Sequence, residues 1–376
     1  MIKNYKPHLI QTDIEEIINE FKLDTLATSK VAFSNNLEAE LFKVESSKIK
    51  NPLYQSVKYP IEIYLLYSKE IKEIASFPHL VGEELDKRCL KIGEVAALAI
   101  NELWPIDLKN SLLYDVLRAG PGYRIYEGLK KIGINLLKIR VRPRYKLPSY
   151  RHHNGTSGQL ELIYEDFKNL PENKEITVIK PDTEASGGTS RIAIEKLIEI
   201  AKQKNTKIKE IICTGFISVP SLNILQNLAE KYGFQVKILA WGNLTALYSN
   251  GYDMPLYGID EAYFRETGKI RKIAGVIPKE ILEEYLLTFP PGSDQPGDWS
   301  ARQSYVDNGL EMEKGDILKH LNNSLSFIQS LYAISKNERW FKGWHKEIFE
   351  REIKELEKAI NNQDFRGVDL SKVIII

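Results

Sequence analysis

The chain has 376 residues, 43% hydrophobic and 27% charged, a balance that belongs to soluble globular proteins and a length that suits a main domain with an appendage. Its 52 Lys and Arg against 51 Asp and Glu exclude a chain-wide basic footprint for nucleic acid. Two cysteines, Cys89 and Cys213, are too few for a disulfide framework or a zinc site, and no apolar run forms a signal core or a membrane span, so a cytoplasmic protein with no membrane partner is expected.

Residues 1–80 read as an N-terminal arm, with Ile14, Ile17, Ile18 and Phe21 at helical spacing. Val57 to Leu66 alternates as a strand, placed at an edge or a strand start by Pro60. Glu83 to Leu103 predicts a helix whose apolar face carries Leu85, Leu90, Ile92, Val95, Ala96, Leu98 and Ala99. Ser111 to Leu117 then predicts a strand that runs into the turn Arg118-Ala119-Gly120-Pro121-Gly122, followed by a helix through Tyr126, Leu129 and Ile132. A guanidinium beside two glycines suits bidentate contact with pyrophosphate oxygens, or is a plain surface arginine.

Ile134 to Val141 is a further strand candidate. Beyond it Arg140, Arg142, Arg144, Lys146, Arg151, His152 and His153 lead into Asn154-Gly155-Thr156-Ser157-Gly158, which reads as a mobile cationic lid or as a solvated loop without a role. The adjacent histidines point apart on a strand and lack a third ligand, so no metal site is expected there.

The stretch that organises the chain is Ile176-Thr177-Val178-Ile179-Lys180-Pro181-Asp182-Thr183-Glu184-Ala185-Ser186-Gly187-Gly188-Thr189-Ser190, with an apolar rhythm resuming at Ile192, Ile194, Leu197, Ile198 and Ala201. Strand, glycine turn and helix place backbone N–H groups at the positive end of a helix dipole, which together with the hydroxyls of Ser186, Thr189 and Ser190 suit a phosphate monoester. Asp182 sits where an acid can hold ribose hydroxyls. Glycine used only for its backbone freedom is the alternative. Lys207–Ile217, Val219–Tyr232 and Gln235–Ala240 continue the pattern as strand, helix and strand.

Leu247 to Asp260 is a loop dense in Gly, Pro and aromatics, apt for a flat heterocycle or for plain core cover. The tract Phe289 to Asp298 reads as a boundary or packed linker. Helical patterns follow at Ile317–Tyr332 and Arg339–Ile360, the second with Trp340, Trp344, Phe349, Ile353, Leu356 and Ile360 on one face that docks on its own domain or on a second subunit.

In this order the pieces resemble uracil phosphoribosyltransferase of the type I phosphoribosyltransferase family. Val116-Leu117-Arg118-Ala119-Gly120 with Glu127-Gly128-Leu129 is similar to its pyrophosphate loop, Tyr164 to Pro171 to the segment after its flexible loop, residues 176–190 to its phosphate-binding stretch, and Asn250-Gly251-Tyr252-Asp253-Met254-Pro255 with Gly258 to its uracil loop. The likeness covers roughly residues 80–265.

It implies an α/β fold, a mostly parallel sheet flanked by helices with a flexible lid, over a core domain 81–267 and a mostly helical extension 268–376. It also implies transfer of 5-phosphoribosyl from phosphoribosyl pyrophosphate to uracil or a related heterocycle, with Mg2+ bound through that substrate and no metal held by the protein alone; the expected assembly is a homo-oligomer, a dimer. Asp182 and Arg118 would be catalytic, and Asp182, Ala185, Ser186, Gly187, Gly188, Thr189 and Ser190 would hold the 5′-phosphate side. Arg118, Ala119, Gly120, Arg142 and Arg144 would hold pyrophosphate, and Gly251, Tyr252, Asp253, Met254, Tyr257, Gly258 and Asp260 the base.

The sequence departs from that pattern at defined places. Pro181-Asp182 stands where the family has an acidic pair, Glu184 enters the usually apolar middle of the loop, and Asp253, Leu256, Tyr257 and Ile259 alter the base loop. Transfer to a different acceptor, and a catalytically silent domain that binds the same ligand, are therefore the alternatives.

Overall fold

The computed structural model describes residues 11–34, 37–52, 54, 61–146 and 160–362. Its β-branched runs assemble into a nine-stranded sheet. In chain order the strands are β1 (Thr28–Val31), β2 (Glu40–Val44), β3 (Glu62–Tyr67), β4 (Ser111–Val116), β5 (Leu137–Tyr145), β6 (Leu160–Asp166), β7 (Glu175–Pro181), β8 (Lys207–Ser218) and β9 (Gln235–Thr245). Across the sheet they stand as β1-β2-β3-β9-β8-β7-β4-β5-β6. From β3 to β5 every pair is parallel, whereas β1, β2 and β6 join antiparallel. Parallel strands covered on both faces are apolar along their whole length, and every residue of β4 is buried accordingly.

The helices that cover the sheet are α1 (Gln11–Phe21), α2 (Lys69–Ser76), α3 (Gly82–Leu103), α4 (Ile125–Lys131), α5 (Gly188–Gln203) and α6 (Val219–Tyr232). Local chemistry sets their ends: the Ser218 hydroxyl accepts the Ser221 N–H to open α6, and Gly233, at φ +76°, closes it. Chain order reverses at the β4–β7 pair, with β5 to one side and β8 and β9 to the other. Right-handed crossovers then put α4 on one face and α5 and α6 on the other, leaving a crevice beyond the carboxyl ends of β4 and β7.

The rest of the chain contributes α7 (Glu261–Thr267), α8 (Lys279–Leu286), α9 (Trp299–Arg302), α10 (Ile317–Ser335) and α11 (Gly343–Asn361), with two small hairpins, β10 (Tyr257–Ile259) with β11 (Lys272–Ala274) and β12 (Tyr305–Asp307) with β13 (Met312–Lys314). One apolar core takes residues from Ile14 to Ile348, and a smaller cluster joins α10 to α11 through Leu321, Ile328, Phe349 and Leu356. Arg302 is fully buried without an ion-pair partner among the described residues. Its guanidinium donates instead to the carbonyls of Ile74, Phe77, Leu80, Gln295 and Pro296, tying the 295–302 segment to the region after α2. None of the described helices is long and apolar enough to cross a membrane.

Several expectations change. The arginines placed in a lid, Arg140, Arg142 and Arg144, belong to β5, where they alternate with buried Ile139, Val141 and Pro143 and pair with β6 across a bulge. Period-two alternation was present in Arg-Val-Arg-Pro-Arg, and the local density of charge obscured it. Residues 147–159, with Arg151, His152 and His153, lie outside the described residues, as do 57–60 of the strand expected over Val57 to Leu66; β3 begins at Glu62. Leu90 is exposed, because the buried stripe of α3 passes through Cys89 and Ile92 instead. Trp340 precedes α11 and packs edge-on against Phe21.

Candidate functional site

At the reversal point the ends of β4 and β7 open into a cavity of about 440 Å³, within the size range of small-molecule sites. The β4 side brings Leu117, Arg118 and Ala119; the β7 side brings Asp182, Thr183, Ala185, Ser186, Gly187 and Thr189. Arg142, Arg144 and Tyr145 of β5 form another wall, and Gly251 and Tyr252 reach it from the loop after β9.

The β7 turn is shaped by its glycine. Gly187 takes φ +76° at the N-cap of α5, and a Cβ there would lie 2.9 Å from the Ile224 side chain. The turn thus presents its amides and the Ser186 and Thr189 hydroxyls at the first turn of a sixteen-residue helix, where the dipole favours an anion. Tyr145, whose hydroxyl is hydrogen-bonded to Ser186, joins that wall.

Beneath the turn lies a buried ionic cluster. Lys180 is wholly buried, its Nζ 2.9 Å from Oδ2 of Asp182 and bonded to Oε1 of Glu184, which also accepts the Ser190 hydroxyl. Asp182 Oδ1 accepts the Thr183 N–H at 2.8 Å. Burial pushes the Asp182 carboxyl up while the Lys180 ammonium opposes that rise, and the two carboxylates hold the Lys180 ammonium well above the ordinary lysine value against its own desolvation. Oε2 of Glu184 is buried with no hydrogen-bond partner among the described residues.

Of the predicted residues, Arg118, Ala119, Arg142, Arg144, Asp182, Ala185, Ser186, Gly187, Thr189, Gly251 and Tyr252 line the cavity. The others do not, each for a structural reason. Gly120 packs the β4 turn against β7, where a Cβ would meet the Pro181 carbonyl at 2.9 Å, and a Cβ at Gly188 would lie 2.8 Å from the Tyr145 hydroxyl. Ser190 is spent on Glu184. Most of the expected base loop is core. Met254 is fully buried with its N–H on Asp294, Asp253 accepts from Asn250, and Tyr257 packs between Phe21 and Phe289. Gly258 lies so near Gly292 that a Cβ would be 2.1 Å from its nitrogen, and Asp260 caps α7 by accepting the Tyr263 N–H.

The wall that sequence reasoning missed is Pro296-Gly297-Asp298-Trp299-Ser300. Trp299 stacks on Tyr123 with centroids 4.6 Å apart, and the Tyr123 hydroxyl bonds Thr183 at 2.6 Å, which couples this wall to the β7 turn. The indole Nε1 of Trp299 is buried without a partner among the described residues. Asp298 spends one oxygen on the Ala301 N–H, and burial raises its carboxyl although Arg118 lies near. The only available sequence signal was the density of Gly, Pro and Asp ahead of a tryptophan.

No cluster of three or more His, Cys, Asp and Glu that could hold a metal occurs among the described residues. Asp182 and Asp298 are the carboxylates on the cavity wall. That donor set fits an ion held mainly by substrate phosphates and touched by one or two carboxylates, the ordinary way magnesium sits at phosphate sites.

No family model matches the chain, and no curated protein matches it. Among solved structures, adenine phosphoribosyltransferase from Trypanosoma brucei, in complex with AMP, pyrophosphate and ribose-5-phosphate, is similar at 13% identity over 50% of this chain and 87% of that one, with a TM-score of 0.30. Orotate phosphoribosyltransferase from Aeropyrum pernix is similar at 17% identity over 41% and 76%, with a TM-score of 0.26. Adenine phosphoribosyltransferase from Thermoanaerobacter pseudethanolicus is similar at 17% identity over 41% and 85%, with a TM-score of 0.27.

Proposed function

We propose that this protein transfers 5-phosphoribosyl from phosphoribosyl pyrophosphate to a nitrogen heterocycle, uracil or a relative of it, with release of pyrophosphate. The observation that carries the reading is the convergence on one cavity of Arg118 after β4 and the Ala185–Thr189 turn at the start of α5. One end of the substrate is a phosphate monoester and the other a diphosphate, and these two turns offer one suitable seat for each.

As the diphosphate leaves C1, positive charge develops on the ribose and negative charge on the departing oxygens. Arg118, with Arg142 beside it, neutralises the leaving group, and the α5 amides fix the 5′-phosphate so that the ribose cannot drift. Magnesium carried by the diphosphate supplies further charge neutralisation when bound. Asp182, oriented by Lys180 and the Thr183 N–H, faces the ribose hydroxyls. Tyr252 and the Trp299 wall offer an aromatic rim for the acceptor ring.

A second reading, a catalytically silent domain that binds the same ligand, is favoured by one observation: Lys180 already occupies Oδ2 of the lone acid at this turn's acidic-pair position. Incubation with magnesium, phosphoribosyl pyrophosphate and a panel of pyrimidines and purines, followed by pyrophosphate release, separates the two. Release with one ring supports transfer and names the acceptor. Binding of phosphoribosyl pyrophosphate without release with any ring supports the silent domain and overturns transfer.

A further inference from the structure

At the arginine end of the cavity Arg118 already has an anion as its partner, and that anion comes from the chain itself. The β12–β13 hairpin lies along the β5 arginines: Arg140 donates to Oδ2 of Asp307 at 3.3 Å, Arg142 to the Asn308 carbonyl at 3.1 Å, and Arg118 to Oε2 of Glu313 at 3.0 Å. Of these three, Arg118 and Arg142 line the cavity. The amide of Asn308 donates to the other oxygen of Glu313, so the carboxylate is held at both oxygens directly over Arg118. Both donors pull its carboxyl below the ordinary glutamate value, so it is ionised at neutral pH.

The hairpin is packed at both its base and its turn. A Cβ at Gly315 would lie 1.9 Å from the Gln303 carbonyl, and one at Gly309 2.6 Å from the Tyr164 ring. The Glu313 side chain by contrast is 33% exposed and has a path to solvent without movement of the backbone. A partly exposed carboxylate–arginine pair is worth little, whereas a diphosphate brings more charge and can engage two guanidinium groups at once.

We propose that Glu313 is a resident competitor for the anion seat of the cavity: its carboxylate stands over Arg118 where an incoming diphosphate must sit, so this residue sets how tightly the site holds its anion. The inference rests on the function proposed above, because it takes Arg118 as the diphosphate ligand. Binding proceeds by exchange. Glu313 swings to solvent, the diphosphate takes Arg118 and Arg142, and the Asp307–Arg140 pair keeps the hairpin in place.

The test is calorimetric titration of the full chain with inorganic pyrophosphate, comparing the natural protein with Glu313→Gln and with Glu311→Gln. Glu311 is exposed on the same hairpin and meets Asn308 through its main chain, so it controls for the loss of one negative charge. Glu313→Gln is expected to bind pyrophosphate about three- to ten-fold more tightly, the range for losing a charge-assisted competitor, with Glu311→Gln near the natural value. Equal affinity for all three, an equal gain in both variants, or weaker binding by Glu313→Gln overturns the competitor while leaving the proposed function standing. Absence of pyrophosphate binding in all three overturns the diphosphate seat, and both inferences with it.

Discussion

The wholly buried ammonium of Lys180 lies 2.9 Å from Oδ2 of Asp182, so the acid on the cavity wall is held from behind by a buried cation. Such a pair is weak evidence for net stability, since desolvation offsets its attraction, but removal of one partner leaves a bare buried charge.

Lys180→Met is therefore expected to destabilise the fold by about 3–5 kcal/mol, because Asp182 and Glu184 are left without their shared cation. Adding Glu184→Gln should recover part of the loss. Urea denaturation of the two single variants and the double variant measures the coupling, and strictly additive losses would show that the three groups do not act as a unit.

Arg118 is partly exposed, at 38% of its side chain, and is ion-paired with Glu313. Replacing it by alanine should leave the free energy of unfolding within about 1 kcal/mol of the natural protein while lowering pyrophosphate release by about a hundred-fold or more. Unchanged turnover would remove the β4 turn from the chemistry.

Arg302 links the cavity wall at 295–302 to the carbonyls of Ile74, Phe77 and Leu80. Arg302→Leu removes a donor from five carbonyls, of which that of Phe77 keeps the Leu80 N–H, and a loss of about 3–5 kcal/mol is expected, accompanied by weaker binding in the cavity as Pro296 to Trp299 lose their anchor. Thermal melting and ligand titration of the same variant read the two effects separately. Stability equal to that of the natural protein would refute the anchoring role.

His345 is buried in the first turn of α11, where its Nδ1 accepts the Lys342 N–H at 2.9 Å and therefore carries no proton. Burial lowers its pKa from 6.5 to about 3. The unfolded chain thus binds an extra proton between those values, so stability is complete above about pH 6.5 and falls as the solution is acidified toward pH 3. The expected loss is about 2 kcal/mol between pH 6.5 and 5. His345→Gln should flatten that slope; an unaltered acid slope would assign it to other groups.

Much of this molecule was legible in one dimension. The β-branched run from Ile176, the glycines at 187 and 188 and the resumed apolar rhythm announce strand, turn and helix, since a helix N-terminus needs no distant contact to form. Val219–Tyr232 was readable for the same reason, with its Ser218 cap, early proline and closing Gly233 all local. Those signals sufficed to place the glycine turn between β7 and α5, and Arg118 after β4. The arginines of β5 were misread because a half-buried strand beside a charged partner looks like a solvated loop when only charge is counted.

Tertiary structure alone decided what faces the cavity. Local pattern marks a loop as rich in aromatics and glycine but does not say which side of it is packed, so Met254 and Tyr257 went to the core while Gly251 and Tyr252 reached the cavity. Nor could local pattern bring Trp299 beside Tyr123 or Glu313 to Arg118, 195 residues away. Such meetings depend on the whole sheet being folded, because the helix that supplies Trp299 is held by Arg302 and the buried core, and the hairpin that supplies Glu313 by Arg140 and Arg142 of β5, rather than by their own sequence.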